Sequence, residues 1–254
     1  MIEEAIQQAA HMLQEARYAV ALTGAGISTP SGIPDFRSPN SGLWETANAI
    51  EVASIFGFKR HPQAFYDWIR PLARLLFEAV PNPAHLALAR LEQAGYIKSI
   101  ITQNIDMLHT RAGSQHVYEI HGHLRKATCI ECFAEYDAEP IIRQFIEDGQ
   151  IPRCPACGGI LKPNVILFGE QLPVKELFAS QQAARRCDLM IVAGSSLEVA
   201  PAGDLPLLAR QHGARLIIIN REKTHVDSAA DLLFHEDVAV ILPRLASMVM
   251  MKDR

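Results

Sequence analysis

The segment Tyr18-Ala19-Val20-Ala21-Leu22-Thr23-Gly24-Ala25-Gly26-Ile27-Ser28 decides the fold class of this chain. Its first six residues form a short apolar run, which is typical of a strand buried on both faces of a parallel sheet. The run ends at Gly24-Ala25-Gly26, and glycines at the end of a first strand allow the backbone to approach a pyrophosphate closely. A tight turn without a ligand would use the same residues, so this motif alone is a weak indication of a nucleotide site.

Apolar runs and helical patterns alternate along the rest of the chain. Residues 2–17 carry apolar side chains at helical spacing. Further short apolar runs lie at residues 97–102, 165–168, 189–193 and 216–219, and predicted helices lie at residues 83–94, 174–186 and 204–211. This alternation predicts an α/β fold with a mostly parallel sheet covered by helices on both faces, in which ligands bind at the carboxyl ends of the strands.

Two segments interrupt the alternation. Residues 30–80 hold many prolines and aromatic residues and no clear strand, and residues 123–162 hold two Cys-x-x-Cys pairs. We interpret both as insertions that form a smaller second module. The predicted division is a discontinuous main domain of residues 1–30, 81–122 and 163–254, a loop with a helical insertion at residues 31–80, and a zinc-ribbon module at residues 123–162.

The cysteines predict a metal site. Four of the five cysteines form the pairs Cys129-x-x-Cys132 and Cys154-x-x-Cys157, which is close to the spacing of a zinc ribbon. Four thiolates complete a tetrahedral shell, so we expect the zinc to be structural rather than catalytic. Two disulfides or four buried thiols are the alternatives, and a reducing compartment disfavours the disulfides. Cys187 is expected to be a small buried hydrophobic residue.

Composition and charge exclude several classes of protein. The chain has 254 residues, of which 49% are hydrophobic and 20% are charged, which is typical of globular proteins and excludes disordered and collagen-like chains. The formal net charge of -4 argues against stable binding to nucleic acid. No apolar run approaches the roughly 18 residues of a membrane span. Residues 1–4 lack the basic and apolar regions of a signal peptide, so we expect a cytoplasmic location.

A loop with unusual chemistry follows the first strand. In Gly32-Ile33-Pro34-Asp35-Phe36-Arg37-Ser38-Pro39, the prolines exclude an ordinary helix. Loops of this length are often lids or binding loops. Phe36 could cover a ring-shaped group and Arg37 could meet a phosphate, whereas the alternative is a buried Phe36 beside surface charges.

Polar side chains follow the predicted second strand. Gln103, Asn104 and Asp106 come directly after residues 97–102, where such groups can bind ribose hydroxyls or a carboxamide. Asn104 or Asp106 could equally be the N-cap of the next helix.

His121 is the candidate general base, because it follows the short apolar run at residues 117–120 and precedes a glycine. A buried structural histidine, a surface histidine and a metal ligand are the alternatives for His121. His109, His116 and His123 are nearby in the sequence.

Two later strand ends carry further candidates. Gly194-Ser195-Ser196 follows one apolar run, and its small residues permit close approach to phosphate or ribose. Asn220-Arg221-Glu222 follows the last run, where Asn220 or Glu222 could bind a ribose. A Rossmann dehydrogenase keeps its ribose-binding acid about 20 residues after the first glycines, so an ordinary dehydrogenase fits this chain poorly.

Taken in order, these segments resemble the sirtuin family, whose members are NAD-dependent protein-lysine deacylases. The resemblance runs from about residue 17 to the end, and no single motif carries it. It rests on Gly24-Ala25-Gly26-Ile27-Ser28, Gly32-Ile33-Pro34-Asp35-Phe36-Arg37, Thr102-Gln103-Asn104-Ile105-Asp106, His121-Gly122, the two cysteine pairs, Phe168-Gly169-Glu170, Gly194-Ser195-Ser196-Leu197 and Asn220-Arg221-Glu222.

The resemblance implies a Rossmann-like NAD-binding domain with a smaller module of zinc ribbon and helical insertion. It implies His121 and Asn104 as catalytic residues and an acetylated protein or peptide as the partner. The implied substrate-binding residues are Val165, Phe168, Gly169 and Glu170. The implied cofactor-binding residues are Gly24, Ala25, Gly26, Pro34, Asp35, Phe36, Arg37, Gln103, Asn104, Ile105, Asp106, Gly194, Ser195, Ser196, Asn220, Arg221, Glu222 and Val238.

The resemblance also implies the reaction. The amide oxygen of acyl-lysine attacks C1′ of the nicotinamide ribose and nicotinamide leaves. His121 then takes a proton from a ribose hydroxyl, which attacks the imidate carbon. Water completes the transfer, and the products are free lysine and O-acetyl-ADP-ribose. An NAD-dependent mono-ADP-ribosyltransferase is the alternative on the same scaffold, and a zinc-ribbon nucleic-acid-binding protein is a more distant one.

The helical insertion predicts which acyl groups are accepted. Relatives that prefer succinyl-lysine carry Tyr-x-x-Arg, whereas this chain has Tyr66-Asp67-Trp68-Ile69 with Arg70 one place later. We therefore expect a preference for acetyl or other uncharged acyl groups.

Overall fold

A computed structural model describes residues 2–35 and 49–251. The strands are Ala19–Thr23 (β1), Ile97–Thr102 (β2), Val117–Glu119 (β3), Gly122–Cys129 (β4), Glu135–Asp137 (β5), Leu161–Val165 (β6), Leu189–Ala193 (β7), Arg215–Ile219 (β8) and Leu232–Phe234 (β9). The α-helices are Ile2–Glu15 (α1), Ala49–Val52 (α2), Ile55–Arg60 (α3), Pro62–Glu78 (α4), Pro83–Gln93 (α5), Leu108–Arg111 (α6), Ala138–Asp148 (α7), Val174–Arg186 (α8), Leu205–Gln211 (α9) and Val238–Met251 (α10).

Six strands form a parallel sheet in the order β3-β2-β1-β7-β8-β9. β1 pairs with β2 on one side and with β7 on the other, so the strand order reverses between β1 and β7. This is the arrangement of a Rossmann-like fold, in which the reversal opens a crevice at the carboxyl ends of the strands. The predicted Rossmann-like sheet is therefore confirmed, and β1 lies at its centre.

Helices cover both faces of this sheet. Ala19 and Ala21 of β1 pack in one core with α1, α5 and α10, whereas Val20 and Leu22 pack in a second core with α8 and α9. Alternate residues of a strand point to opposite faces, so a strand that is buried on both faces must be apolar throughout. Every residue of β1 and of β7 is buried, which explains the unbroken apolar runs in the sequence.

The helical insertion and the cysteine-bearing segment form one smaller module. Its antiparallel sheet has the order β5-β4-β6. Phe58 and Tyr66 of the insertion pack in a common core with Leu124, Phe145 and Leu161 of the cysteine-bearing segment. The aromatic rings meet edge to face, with 4.9 Å between the centroids of Tyr66 and Phe145. This shared core confirms the predicted smaller module, while the predicted domain boundaries stay a prediction.

The prediction that residues 165–168 form a strand of the parallel sheet was wrong. The apolar run at residues 165–168 does not enter that sheet, because β6 ends at Val165 and pairs antiparallel with β4. Phe168 instead forms an isolated bridge with Ser54 of the insertion. A short apolar run indicates a buried strand but not which sheet the strand joins, since that depends on distant partners.

Several elements were not predicted from the sequence, among them α7, β9 and α10. β9 has only three residues, and α10 is apolar on nearly all sides and contains Pro243. α10 nevertheless packs between α1 and α5 in the first core, which explains its apolar character. Within the described part of the chain, no helix has both the length and the apolar character that crossing a bilayer requires.

Candidate active site and metal centre

The loops after β1 and β7 pack backbone against backbone at the crevice. The Gly26 N–H donates to the Gly194 carbonyl at 2.9 Å. A Cβ atom at Gly26 would lie 2.9 Å from that carbonyl, and a Cβ at Gly194 would lie 2.2 Å from the Ile27 nitrogen. Gly194 also has φ +62, which favours glycine. The crevice is therefore lined by backbone, as close approach to a pyrophosphate requires.

The loop that follows β1 turns tightly. Residues Ala25–Ile27 and Thr29–Ser31 form single turns of 3-10 helix, and Ala25 is half-buried. Pro34 and Asp35 are also half-buried at the end of the described segment. Phe36 and Arg37, which the sequence predicts to be cofactor contacts, lie outside the described residues.

Gln103 joins three strand ends. Its N–H donates to the Thr23 carbonyl at 3.0 Å, and its side-chain amide donates to the Ser195 hydroxyl at 2.9 Å. Ser195 is buried, and Ser196 is half-buried beside it. The predicted residues after β1, β2 and β7 are thus brought together around one crevice.

Asn104 and Asp106 form the polar floor of this crevice. The Asn104 side-chain amide donates to the Gly24 carbonyl and to the Ser28 hydroxyl, both at 3.1 Å. The Ser28 hydroxyl donates to Asp106 at 2.6 Å, and the other Asp106 oxygen accepts from the Leu108 N–H at 2.9 Å. Asp106 therefore also satisfies a backbone donor at the start of α6, but the N-cap of that helix is Met107 and not Asn104 or Asp106, so the alternative interpretation was wrong. Ile105 packs against the core of the smaller module.

Burial controls the ionisation of Asp106. Asp106 is 4% exposed, and burial raises the pKa of its carboxyl above the ordinary value of 3.8. The hydrogen bonds from Ser28 and Leu108 act in the opposite direction, because they stabilise the carboxylate.

His121 lies where the chain passes from the large sheet to β4. Its Nδ1 is 3.0 Å from the Gln103 carbonyl, and because a carbonyl only accepts, Nδ1 carries the proton. Nε2 is then an acceptor. Burial lowers the pKa of His121 below its ordinary value of 6.5. A neutral imidazole with an accepting Nε2 is suited to act as a general base near neutral pH.

The residues after β8 extend the crevice along the sheet, since β8 is next to β7. The Asn220 side-chain amide donates to the Glu222 carbonyl at 2.8 Å. Arg221 forms an ion pair with Asp237. The Val238 side chain is buried in the first core, so a contact with an adenine would come from its backbone.

The predicted substrate segment lies directly beside His121. The Ile166 N–H donates to the His121 carbonyl at 2.9 Å. Val165 is buried, and Gly169 has φ +83 where the chain turns after the half-exposed Phe168. Glu170 holds this turn, because its carboxylate accepts from the Leu167 N–H at 2.7 Å and pairs with Lys162 at 2.9 Å.

The four paired cysteines form a compact cluster in the smaller module. Their sulfur atoms all lie within 4.8 Å of one another, with 3.5 Å between Cys129 and Cys157 and 3.6 Å between Cys132 and Cys154. Thiolates about 2.3 Å from a tetrahedral zinc ion lie roughly 3.8 Å apart, so the cluster fits zinc. All five cysteines are free of disulfides, and Cys187 is buried as predicted. Among the described residues, no histidine belongs to a candidate metal cluster.

Sequence reasoning missed a buried layer beneath Asn104. Thr23, Ser28, His85 and His109 are all at most 2% exposed, and they lie behind the predicted site. The capping pattern Asn82-Pro83 at the start of α5 was the available signal for His85, because it places this histidine at the third position of the helix.

Comparison with known proteins agrees with this geometry. The Sir2 family model matches residues 24–201. The NAD-dependent protein deacylase 2 of Archaeoglobus fulgidus is 46% identical over 98% of this chain and 97% of that protein. A solved structure described under the structural basis for the mechanism and regulation of Sir2 enzymes has a TM-score of 0.91 and 45% identity, covering 98% of this chain and 99% of that chain.

A second solved structure links the fold to products of a reaction. It is a Sir2 protein with a deacetylated p53 peptide and 3′-O-acetyl-ADP-ribose, with a TM-score of 0.88, 40% identity, and coverage of 97% of this chain and 98% of that chain. The family match, the identity over nearly the whole length and the shared fold all lead to one assignment. The chain belongs to the Sir2 family, the sirtuins.

Proposed function

We propose that this chain is an NAD-dependent protein-lysine deacetylase that releases nicotinamide and O-acetyl-ADP-ribose. Relatives that match almost the full chain are named NAD-dependent protein deacetylase or deacylase. The observation that carries the proposal is the junction at His121, whose Nδ1 binds the Gln103 carbonyl of the crevice and whose carbonyl binds the substrate segment. One residue thus contacts both the cofactor side and the substrate side of the site.

Bound NAD supplies the ADP-ribose that receives the acetyl group. The backbone around Gly26 and Gly194 fits the phosphates, because a side chain at either position would collide with the opposite loop. The backbone of Asn220, Arg221 and Glu222 is assigned to the adenosine end. This assignment follows from the position of β8 beside β7.

The crevice floor is assigned to the nicotinamide and its ribose. Asn104 and Asp106 are buried polar groups at the end of β2, and their carboxamide and carboxylate oxygens can accept the N–H groups of a carboxamide. Gln103 fixes the spacing of this floor from the β7 loop through Ser195. These groups are oriented before a ligand binds, which reduces the cost of ordering the site.

His121 is assigned as the general base. Its neutral Nε2 would accept a proton from a hydroxyl of the bound ribose, which would activate that hydroxyl as a nucleophile. The Gln103 carbonyl holds the imidazole in the required tautomer and stabilises the imidazolium that forms.

The substrate is assigned to the segment from Val165 to Glu170, where an acetylated peptide would bind as an extended strand. The Lys162–Glu170 pair holds the turn of this segment in place. Zinc bound by the four cysteines stabilises the smaller module and takes no part in bond changes.

We also place the protein in the cytoplasm and expect no stable binding to nucleic acid. The disulfide-free cysteines support the cytoplasmic location, because they suit a reducing compartment. The net charge of -4 supports the absence of stable nucleic-acid binding.

Mass spectrometry of an acetyl-lysine peptide tests the proposal. The purified protein is incubated with the peptide, with and without NAD, and His121→Ala is the matched control. We expect NAD-dependent loss of the acetyl group and formation of O-acetyl-ADP-ribose, both lost in the variant. NAD consumption that leaves ADP-ribose on protein, without deacetylation, would instead assign the chain as an ADP-ribosyltransferase.

A further inference from the structure

Two buried histidines lie beneath the crevice floor and have no part in the reaction described above. His85 of α5 is fully buried and His109 of α6 is 2% exposed. Their rings meet edge to face, with 4.8 Å between the centroids. Burying two titratable rings in an apolar interior costs free energy unless their nitrogens form hydrogen bonds.

The Ser28 hydroxyl determines the tautomer of His85. This hydroxyl donates its single proton to Asp106 at 2.6 Å and accepts from the Asn104 amide at 3.1 Å. His85 Nε2 lies 3.4 Å from the same oxygen and must therefore be the donor. His85 Nδ1 accepts from the Asn82 N–H at 3.4 Å, which agrees with a neutral ring protonated at Nε2.

The Thr23 hydroxyl determines the tautomer of His109 in the same way. It donates to the Thr102 hydroxyl at 2.9 Å, and His109 Nε2 lies 2.9 Å from it. Nδ1 of His109 is buried without a hydrogen-bond partner among the described residues. A buried N–H without an acceptor is rarer than a buried acceptor without a donor, so the proton belongs on Nε2.

Both chains of hydrogen bonds end at Asn104. One runs from His85 through Ser28 to the side-chain amide. The other runs from His109 through the two threonine hydroxyls, the second of which accepts from the Asn104 N–H at 3.1 Å. The side chain and the backbone of one residue are therefore held from two directions by two neutral imidazoles.

The neutral state of both rings is maintained by their surroundings. Burial lowers the pKa of His85 to about 4, and burial together with the neighbouring His85 lowers the pKa of His109 well below its ordinary value of 6.5. The facing groups are Asp106, which is bound to Ser28, and the hydroxyls already described. Each imidazole thus remains a fixed donor across the working pH range.

We propose that His85 and His109 are positioning residues, which hold Asn104 and Asp106 in the orientation that the nicotinamide half of NAD requires. His85 acts through the Ser28 hydroxyl, and His109 acts through the pair of threonine hydroxyls. The proposal rests on the function assigned above, because it needs Asn104 and Asp106 to contact the cofactor.

Paired substitutions at each histidine test this proposal. His→Gln keeps a donor near the Nε2 position, whereas His→Met fills a similar volume without one. We expect H85M and H109M to lower kcat and kcat/KM for NAD by about tenfold or more, with the KM for the acetylated peptide unchanged. H85Q and H109Q should recover most of the loss. H116Q, at an exposed histidine bound to Glu92, is the control and should match the wild type.

Three outcomes would overturn the proposal. Met variants that lower only the melting temperature, and keep wild-type kcat/KM for NAD, would make the histidines purely structural. Gln variants no better than the Met variants would show that volume rather than the donor matters. An effect confined to the KM for the peptide would show that the substitutions disturb peptide binding rather than the NAD site.

A spectroscopic measurement separates this proposal from the assigned function. Nitrogen-15 NMR of the wild type, recorded from about pH 6 to about pH 8, should show both rings neutral and protonated at Nε2. A cationic ring or an Nδ1–H tautomer would overturn the positioning proposal even if deacetylation is observed. Absence of NAD-dependent deacetylation with the expected tautomers would instead contradict the assigned function.

Discussion

Single hydrogen bonds decide which ring nitrogen carries the proton in His121, His85 and His109, and the tautomer of His121 is opposite to that of the other two. The Nδ1–H of His121 donates to the Gln103 carbonyl, and Nε2 remains an acceptor. His85 and His109 donate through Nε2 to hydroxyls and act as fixed donors. The roles proposed for these histidines, a base at one position and a support at two others, therefore differ because their hydrogen-bond neighbours differ.

The pH dependence of deacetylation follows from His121. The base must be neutral, and burial lowers its pKa below 6.5, so kcat/KM should fall as the pH decreases through a value below 6.5. A pH–rate profile with an acetylated peptide measures this decrease in kcat/KM, and circular dichroism confirms that the protein stays folded. The residual rate of His121→Ala should not show the decrease. A midpoint at or above 6.5 in the wild type would contradict the prediction.

Substitution of Gly194 tests the contact between the two crevice loops. In Gly194→Ala the new Cβ would lie 2.2 Å from the Ile27 nitrogen at φ +62, so strain and collision combine. We expect a loss of about 2 to 4 kcal/mol in unfolding free energy and at least a tenfold rise in the KM for NAD. Gly95→Ala, with φ +82 and no heavy atom within 4 Å, is the matched control for strain alone. Equal effects of both variants would show that the loop contact is unimportant.

At the scale of elements, we expect α4 to determine the acyl preference, because it carries Tyr66 and Ile69. Arg70 donates to the carbonyls of Ile146 and Glu147 at the end of α7, at distances of 2.8 to 3.1 Å, and so stabilises that helix end. The Tyr66 hydroxyl donates to the Leu161 carbonyl. Arg70, which follows Ile69 in the sequence, is thus engaged in these bonds.

We therefore expect kcat/KM to be much higher for acetyl-lysine than for succinyl-lysine peptides. Ile69→Arg, which completes Tyr-x-x-Arg, should raise the ratio of succinyl to acetyl activity. Arg70→Ala should lower the melting temperature and leave that ratio unchanged. Comparable kcat/KM for the two peptides in the wild type would contradict this prediction.

The elements also show what the sequence can and cannot predict. β1 was predictable because a central parallel strand is apolar throughout and its glycines follow directly. The cysteine cluster was predictable because short spacing brings two thiolates together locally. The run at residues 165–168 was assigned to the wrong sheet because its pairing with β4 and with Ser54 is long-range. His85 and His109 were missed because only the folded chain brings α5, α6 and β1 together.

At the scale of the molecule, the two modules meet at His121. β3 ends at Glu119 in the large sheet, and β4 begins at Gly122 in the small sheet. A Cβ at Gly122 would lie 2.1 Å from the Asn164 carbonyl, so the small sheet packs tightly at this junction. The proposed base therefore depends on the smaller module for its position, whereas the contact between Gly26 and Gly194 lies within the large-sheet domain.

Removal of zinc tests whether the position of His121 depends on the smaller module while the contact between the β1 and β7 loops does not. Without the metal, four thiolates would repel one another, and the core that holds Phe58 and Phe145 together should loosen. We expect a chelator to release about one zinc per chain, to abolish deacetylation and peptide binding, and to weaken NAD binding far less. Zinc release is measured with a chromophoric indicator and the two affinities by calorimetry. Cys187→Ser, at a buried cysteine outside the cluster, should retain its zinc. If NAD binding and peptide binding disappear together, the crevice also depends on the smaller module, which would contradict this prediction.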